Sequence, residues 1–254
     1  MKRMLQGLVP LLLVPILTFA GPRNDFKQTD LDRYVHQLDP AFSFSVISSN
    51  DLGGFQTILV ELVSQSYLTQ ADVDRTVWKH SLKLVVPKIV EHNTAMLMIG
   101  GGDNNNQAMS SPTDLAIEFA VSTNSVVAEL GMVPNQPLTF TTESKPRWED
   151  ALIAYTWDKF FKTGESRWPA RMAMTKSATA AMTAIQLLLA EEKVSIKDFF
   201  VAGASKRGWT TWTTAAVDDR VRAIAPIVVD LLNIEPSFEH HWRVYGFWSP
   251  GNLS

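Results

Sequence analysis

The sequence predicts an α/β fold with a mostly parallel sheet and helices on both faces. Short continuous apolar runs suit buried strands, and amphipathic segments of helical period separate them. Residues 195–217 (SIKDFFVAGASKRGWTTWTTAAV) then read as a strand, a sharp turn carrying one serine, and a helix. With 254 residues, 46% hydrophobic and 19% charged, the chain is long enough for one large α/β domain or two small ones.

Met1 to Ala20 carries Lys2 and Arg3, then an apolar run from Leu8 interrupted by Pro10 and Pro15, and ends Thr18-Phe19-Ala20 before Gly21. This is signal-peptide grammar, so residues 1–20 are expected to be removed and residues 21–254 to form the secreted or periplasmic domain. The alternative is a retained anchor, but the run is short for a membrane span and its prolines disfavour a bilayer-crossing helix, so no stable span is expected after cleavage. Asn252-Leu253-Ser254 would then be a glycosylation sequon.

Asp39-Pro40 marks a turn, and Phe42 and Phe44, two apart, suggest the start of a strand. Residues 57–63 (TILVELV) and 82–86 (LKLVV) read as strands that could open the sheet antiparallel, with residues 68–79 as their connection. Residues 95–99 (AMLMI) form an apolar run feeding Gly100-Gly101-Gly102-Asp103-Asn104. A helix is expected over 112–121, a strand over 125–130, and no regular structure over the proline-rich 132–137. Residues 149–161 read as helix, and in 171–190 the series Met174, Ala178, Ala181, Ile185 and Leu188 keeps one helical face. After the serine turn, Trp209, Trp212 and Ala216 mark one face of a helix over 206–217, and residues 223–229 (AIAPIVV) form a further strand ending at Asp230.

Alternating strands and helices make a parallel sheet, and such sheets bind ligands outside the carboxyl ends of their strands. The glycine loop, the 132–137 loop, Ser205 and Asp230 all fall at those ends. A serine between strand and helix is the nucleophile-elbow arrangement of α/β-hydrolases, with the helix N-terminus and the Lys206 N–H available to an oxyanion. The usual G-x-S-x-G is altered, because Gly208 falls one residue late and Arg207 stands in its place. The competing reading is a helix-capping serine. Gly101 or Gly102 would supply a second oxyanion donor, or the loop is a plain surface turn.

Serine needs a base oriented by a carboxylate, in the chain order serine, acid, histidine. Asp230 is the candidate acid, or else the cap of a following helix. Only His240 and His241 come later, in an aromatic segment that reads as a lid or as packing; His36, His80 and His92 fall outside the order. Cysteine is absent, which excludes disulfides and thiolate chemistry, and no His/Asp/Glu spacing suggests a metal, so neither cofactor nor metal is expected. A net charge of −3 with no basic stripe makes no case for nucleic acid as a partner.

Tyr67-Leu68-Thr69, Val73-Asp74-Arg75, Ile99-Gly100-Gly101-Gly102, residues 126–130 (VVAEL), 132–138 (MVPNQPL), 149–157 (EDALIAYTW), Trp168-Pro169-Ala170-Arg171, 203–218 and 236–249 together resemble the PhoPQ-activated pathogenicity-related protein family. The resemblance covers nearly everything after about Leu31. It implies an exported α/β-hydrolase-like protein in which Ser205 stands at the family's serine turn, Lys206-Arg207-Gly208-Trp209 is its usual continuation, and the displaced glycine is a family trait. Family members are generally longer, so the last strands, with a histidine among them, are expected to be missing here. The family includes a secreted autocrine proliferation repressor of social amoebae. Two functions are therefore expected in competition: a serine ester or amide hydrolase acting on a small-molecule or peptide substrate, and a signalling protein that binds a cell-surface receptor on a non-catalytic scaffold.

Overall fold

The computed structural model describes residues 28–104, 110–229 and 233–246. Helix α1 (Asp30–His36) comes first, then strands β1 (Ser43–Asp51), β2 (Phe55–Ser66), β3 (Val77–Pro87) and β4 (Thr94–Ile99). Helix α2 (Asp114–Thr123), strand β5 (Val127–Leu130) and helices α3 (Glu149–Thr163) and α4 (Ala170–Glu191) follow. The described part closes with strand β6 (Asp198–Ala204), helix α5 (Lys206–Val217), strand β7 (Val221–Ile227) and helix α6 (Ile234–Tyr245).

The strands form one seven-stranded sheet in the order β1-β2-β3-β5-β4-β6-β7. The β1, β2, β3 and β5 neighbours pair antiparallel, whereas β5-β4, β4-β6 and β6-β7 pair parallel. The antiparallel opening expected for residues 57–63 and 82–86 is therefore present, and the serine turn lies in the parallel half.

Alternation along the strands divides the core. Leu82, Leu84, Leu97 and Val201 share the large cluster with Met174, Ala178, Ala181 and Ile185 of α4, the face its periodicity marked. Val85 and Val127 point the other way and pack on Ala116 and Ala120 of α2. Helices thus cover both faces, as an α/β sheet requires.

Two local features depart from the sequence expectation. Helix α1 falls in a stretch that reads only as polar and mixed, and it is started by a capping box in which Thr29 and Asp32 exchange hydrogen bonds. On α5 the buried face is Gly208, Thr210, Thr211, Thr214 and Val217; Trp209 and Trp212 are half-buried and Ala216 is exposed. The helix lies too close to β6 for indole rings to fit between them. Threonines fit, because their hydroxyls donate back to the helix: Thr211 to the Arg207 carbonyl at 2.9 Å and Thr214 to the Thr210 carbonyl at 2.7 Å.

Candidate active site at the serine turn

Ser205 joins β6 to α5 at φ 54° and ψ −122°. A non-glycine residue there is strained by about 1–3 kcal/mol, which only surrounding structure can hold in place. The Ser205 N–H donates to the Ile227 carbonyl at 2.8 Å, and the Ser205 carbonyl accepts from the Trp209 N–H at 3.1 Å. The side chain makes no capping bond to the helix, and the residue is exposed. Ser205 is therefore presented to solvent and is not spent as a helix cap.

The two glycines of the motif bring helix and strands together. A Cβ on Gly203 would lie 2.6 Å from the Arg207 carbonyl oxygen and 2.9 Å from Thr211 Oγ1. A Cβ on Gly208 would lie 2.6 Å from Val229 Cγ1 and 3.0 Å from the Gly203 carbonyl oxygen. The second glycine is needed at 208 because that residue faces the end of β7. Position 207 faces the glycine loop, which leaves it free to carry arginine.

Strand β4 runs parallel beside β6 with Ile99 opposite Gly203. Both strands end there, and the glycine loop leaves β4 on the same side as the serine turn leaves β6, with Gly101 against the Arg207 guanidinium of α5. The carbonyls of Gly100 and Gly101 accept from the N–H groups of Val133 and Met132 at 3.2 and 2.6 Å. Among the described residues nothing accepts from the N–H of Gly101 or Gly102, and both glycines are exposed. The first N–H groups of α5, Lys206 included, likewise have no intrahelical acceptor. Serine turn, glycine loop and helix N-terminus thus lie at the carboxyl ends of neighbouring strands β4 and β6.

A charged network borders these strand ends. Glu149 Oε1 accepts from Arg207 Nη2 at 2.6 Å and Gln136 Nε2 at 2.5 Å, while Oε2 lies 2.7 Å from Lys206 Nζ. Burial pushes the Glu149 carboxyl up, but the bonds from Arg207, Lys206 and Gln136 outweigh it and hold the group at about 2. Arg171 donates from Nη1 to the Lys206 carbonyl at 2.7 Å and lies over the Trp209 ring, with Cζ 4.0 Å from its centroid. Burial pulls its guanidinium down to about 10. Sequence reasoning named Gln136, Glu149 and Arg171 only within the runs that carry the family resemblance and gave them no role, because they act on the turn across long sequence separations.

The proposed acid and base are placed differently. Asp230 and the 1–20 leader lie outside the described residues, as does the Asn252 sequon. His240 is exposed on α6, and the half-buried His241 ring packs at a tilt against Tyr245 with centroids 4.8 Å apart. Neither histidine is hydrogen-bonded to Ser205. His80 is fully buried between Ser64 Oγ, at 2.9 Å from Nε2, and the Gly131 carbonyl, at 3.2 Å from Nδ1. Burial lowers it to about 4, so it is a neutral structural link between strands and α4. Among the described residues no group of His, Asp or Glu is arranged to hold a metal ion, and no helix is long and apolar enough to cross a membrane.

A mixed sheet with a strained serine at a strand-to-helix turn, beside a glycine-rich loop, defines an α/β-hydrolase scaffold. The chain belongs to the PhoPQ-activated pathogenicity-related protein family, whose model matches residues 31–252. It is 38% identical over 223 residues to autocrine proliferation repressor protein A of Dictyostelium discoideum, covering 87% of this chain and 45% of that protein. The chain therefore spans under half the length of this relative. Among solved structures it is similar to the acetyl xylan esterase from Paenibacillus sp. R4, with a TM-score of 0.50 and 13% identity over 88% of this chain and 70% of that one. It is also similar to a putative acetyl xylan esterase from Bacteroides fragilis, with a TM-score of 0.46 and 13% identity over 76% of this chain and 49% of that one. At 13% identity the likeness to the Paenibacillus enzyme speaks for the fold alone.

Proposed function

We propose that this chain carries the nucleophile half of an exported serine hydrolase acting on an ester or amide. The observation behind the reading is Ser205, exposed and strained at φ 54° on the turn between β6 and α5, beside a glycine loop whose Gly101 and Gly102 N–H groups have no acceptor among the described residues. Ser205 Oγ attacks the substrate carbonyl carbon while its proton passes to a base. The carbonyl oxygen becomes an oxyanion facing the N–H of Lys206 and that of Gly101 or Gly102. Collapse breaks the bond to the leaving alcohol or amine, which takes the proton, and water then releases the acid from the acyl-serine. Asp230 and His240 or His241 are assigned as orienting carboxylate and base by chain order; a base from sequence present in longer relatives is the competing source. Export is supported by the basic-then-apolar leader and by a relative named for autocrine action.

Labelling the purified chain with a fluorophosphonate, with Ser205→Ala alongside, tests this by peptide mass spectrometry. An adduct on Ser205 that vanishes in the variant is expected. Folded chain that takes up no probe sinks the reading. A second reading, a secreted signalling protein on a non-catalytic scaffold, is favoured by the 38% identity to a proliferation repressor. It requires that receptor-dependent growth inhibition persist unchanged in Ser205→Ala.

A further inference from the structure

We propose that Glu149 is a positioning residue that locks the glycine loop against the serine turn, acting through Arg207 on one side and Gln136 on the other. The inference rests on the reading of Ser205 as nucleophile.

Each partner of the carboxylate has a second grip on the loop. Gln136 Nε2 reaches Glu149 Oε1 and also the Gly102 carbonyl at 3.1 Å, and Gln136 Oε1 accepts from the Glu149 N–H at 2.8 Å. Arg207 Nη2 reaches Glu149 Oε1, while Nε donates to the Val133 carbonyl at 2.6 Å. The Val133 N–H in turn holds the Gly100 carbonyl at 3.2 Å. The Arg207 guanidinium lies over Gly101, where a Cβ would meet Nη2 at 2.8 Å and have to displace it. Lys206, the residue after the serine, completes the set through Glu149 Oε2.

One carboxylate thus fixes, relative to each other, the two places from which oxyanion donors are drawn. The arrangement also bears on folding, because the carboxylate neutralises two largely buried cations. The Glu149 side chain is 38% exposed, whereas those of Arg207 and Lys206 are 13% and 9% exposed. The Glu149 backbone is held at φ 46°, a left-handed conformation unfavourable to glutamate. Arginine at 207 is specific for the same reason: its planar fork spans the Val133 carbonyl and the carboxylate together, which a lysine ammonium does not.

The test compares Glu149→Gln, Gln136→Ala, Arg207→Lys and Arg207→Ala with the wild-type chain in second-order fluorophosphonate labelling, thermal denaturation and amide exchange. A sub-ångström loosening of donors against nucleophile is expected to slow labelling about 10- to 100-fold in variants that stay folded at the assay temperature. Adding guanidinium ion to Arg207→Ala should restore part of the rate, whereas Arg207→Lys should stay slow; a merely structural role gives neither result. Exchange of the Met132 and Asn104 amides, which bond the Gly101 and Gln136 carbonyls, should quicken while the β2–β3 amides stay protected. Wild-type labelling with Glu149→Gln equally fast overturns the inference. No labelling of the wild type overturns the hydrolase reading and the catalytic role with it, and amide exchange still decides whether the clamp exists.

Discussion

Gly203→Ala puts the serine turn under a defined displacement. The added Cβ would lie 2.6 Å from the Arg207 carbonyl oxygen and 2.8 Å from its carbonyl carbon, both backbone atoms that no rotamer change can move aside. Ordinary contact begins near 3.4 Å, so the first turn of α5 must retreat by roughly 0.8 Å. Overpacking of this kind costs about 1–3 kcal/mol, and in a chain of this size each kcal/mol lowers Tm by about 2–4 °C. The retreat carries Ser205 and the Lys206 N–H away from a glycine loop anchored on β4 and the 132–137 segment. Misplacement approaching 1 Å costs about 10²-fold in rate, so fluorophosphonate labelling should fall much further than the modest loss of stability would produce. Gly54→Ala is the control, because nothing lies within 4 Å of its Cβ position and its φ is unremarkable. If Gly203→Ala labels at the wild-type rate with unchanged Tm, the close approach of α5 to β6 does not hold the nucleophile in place and the reasoning fails.

Two further outcomes follow from other residues. Ser205→Gly should abolish labelling yet raise stability by about 1 kcal/mol, because glycine relieves the positive-φ strain that serine bears; a urea midpoint below that of Ser205→Ala would count against stored strain. His80, lowered by burial from 6.5 to about 4, binds its proton more readily when unfolded, so the unfolded state is favoured as pH falls from 6.5 towards 4. The shift corresponds to about 3 kcal/mol lost across that window and none above it. Urea titrations between pH 4 and 8 should show this slope in wild type and lose it in His80→Asn; an equal slope in both would assign the titration elsewhere.

Much of the fold was legible because periodicity reports burial directly. Met174, Ala178, Ala181 and Ile185 are all fully buried where their spacing put them, and the run ending at Ile99 is β4, an interior strand between β5 and β6. The same argument misled on α5, where apolar spacing marked Trp209, Trp212 and Ala216 while the sheet selected threonines. Periodicity tells which residues are apolar; how closely a helix approaches a sheet decides whether an apolar ring fits.

Sequence by itself determined the serine turn, the glycine loop and the family, because each is carried by residues adjacent in the chain whose backbone demands are local. A strand followed by Gly203-Ala204-Ser205 and a helix leaves the chain few ways to turn. Only the tertiary structure decided what surrounds that turn: that Arg207 is committed to Glu149 and Val133, that Gln136 ties the same carboxylate to Gly102, and that His80 is a buried link. Gln136 to Gly102 spans 34 residues, Arg207 to Glu149 spans 58 and Arg207 to Val133 spans 74. Hydrogen bonds of that reach leave no period or motif in a sequence, because their geometry exists only once the strands have paired and brought the loops to one edge of the sheet.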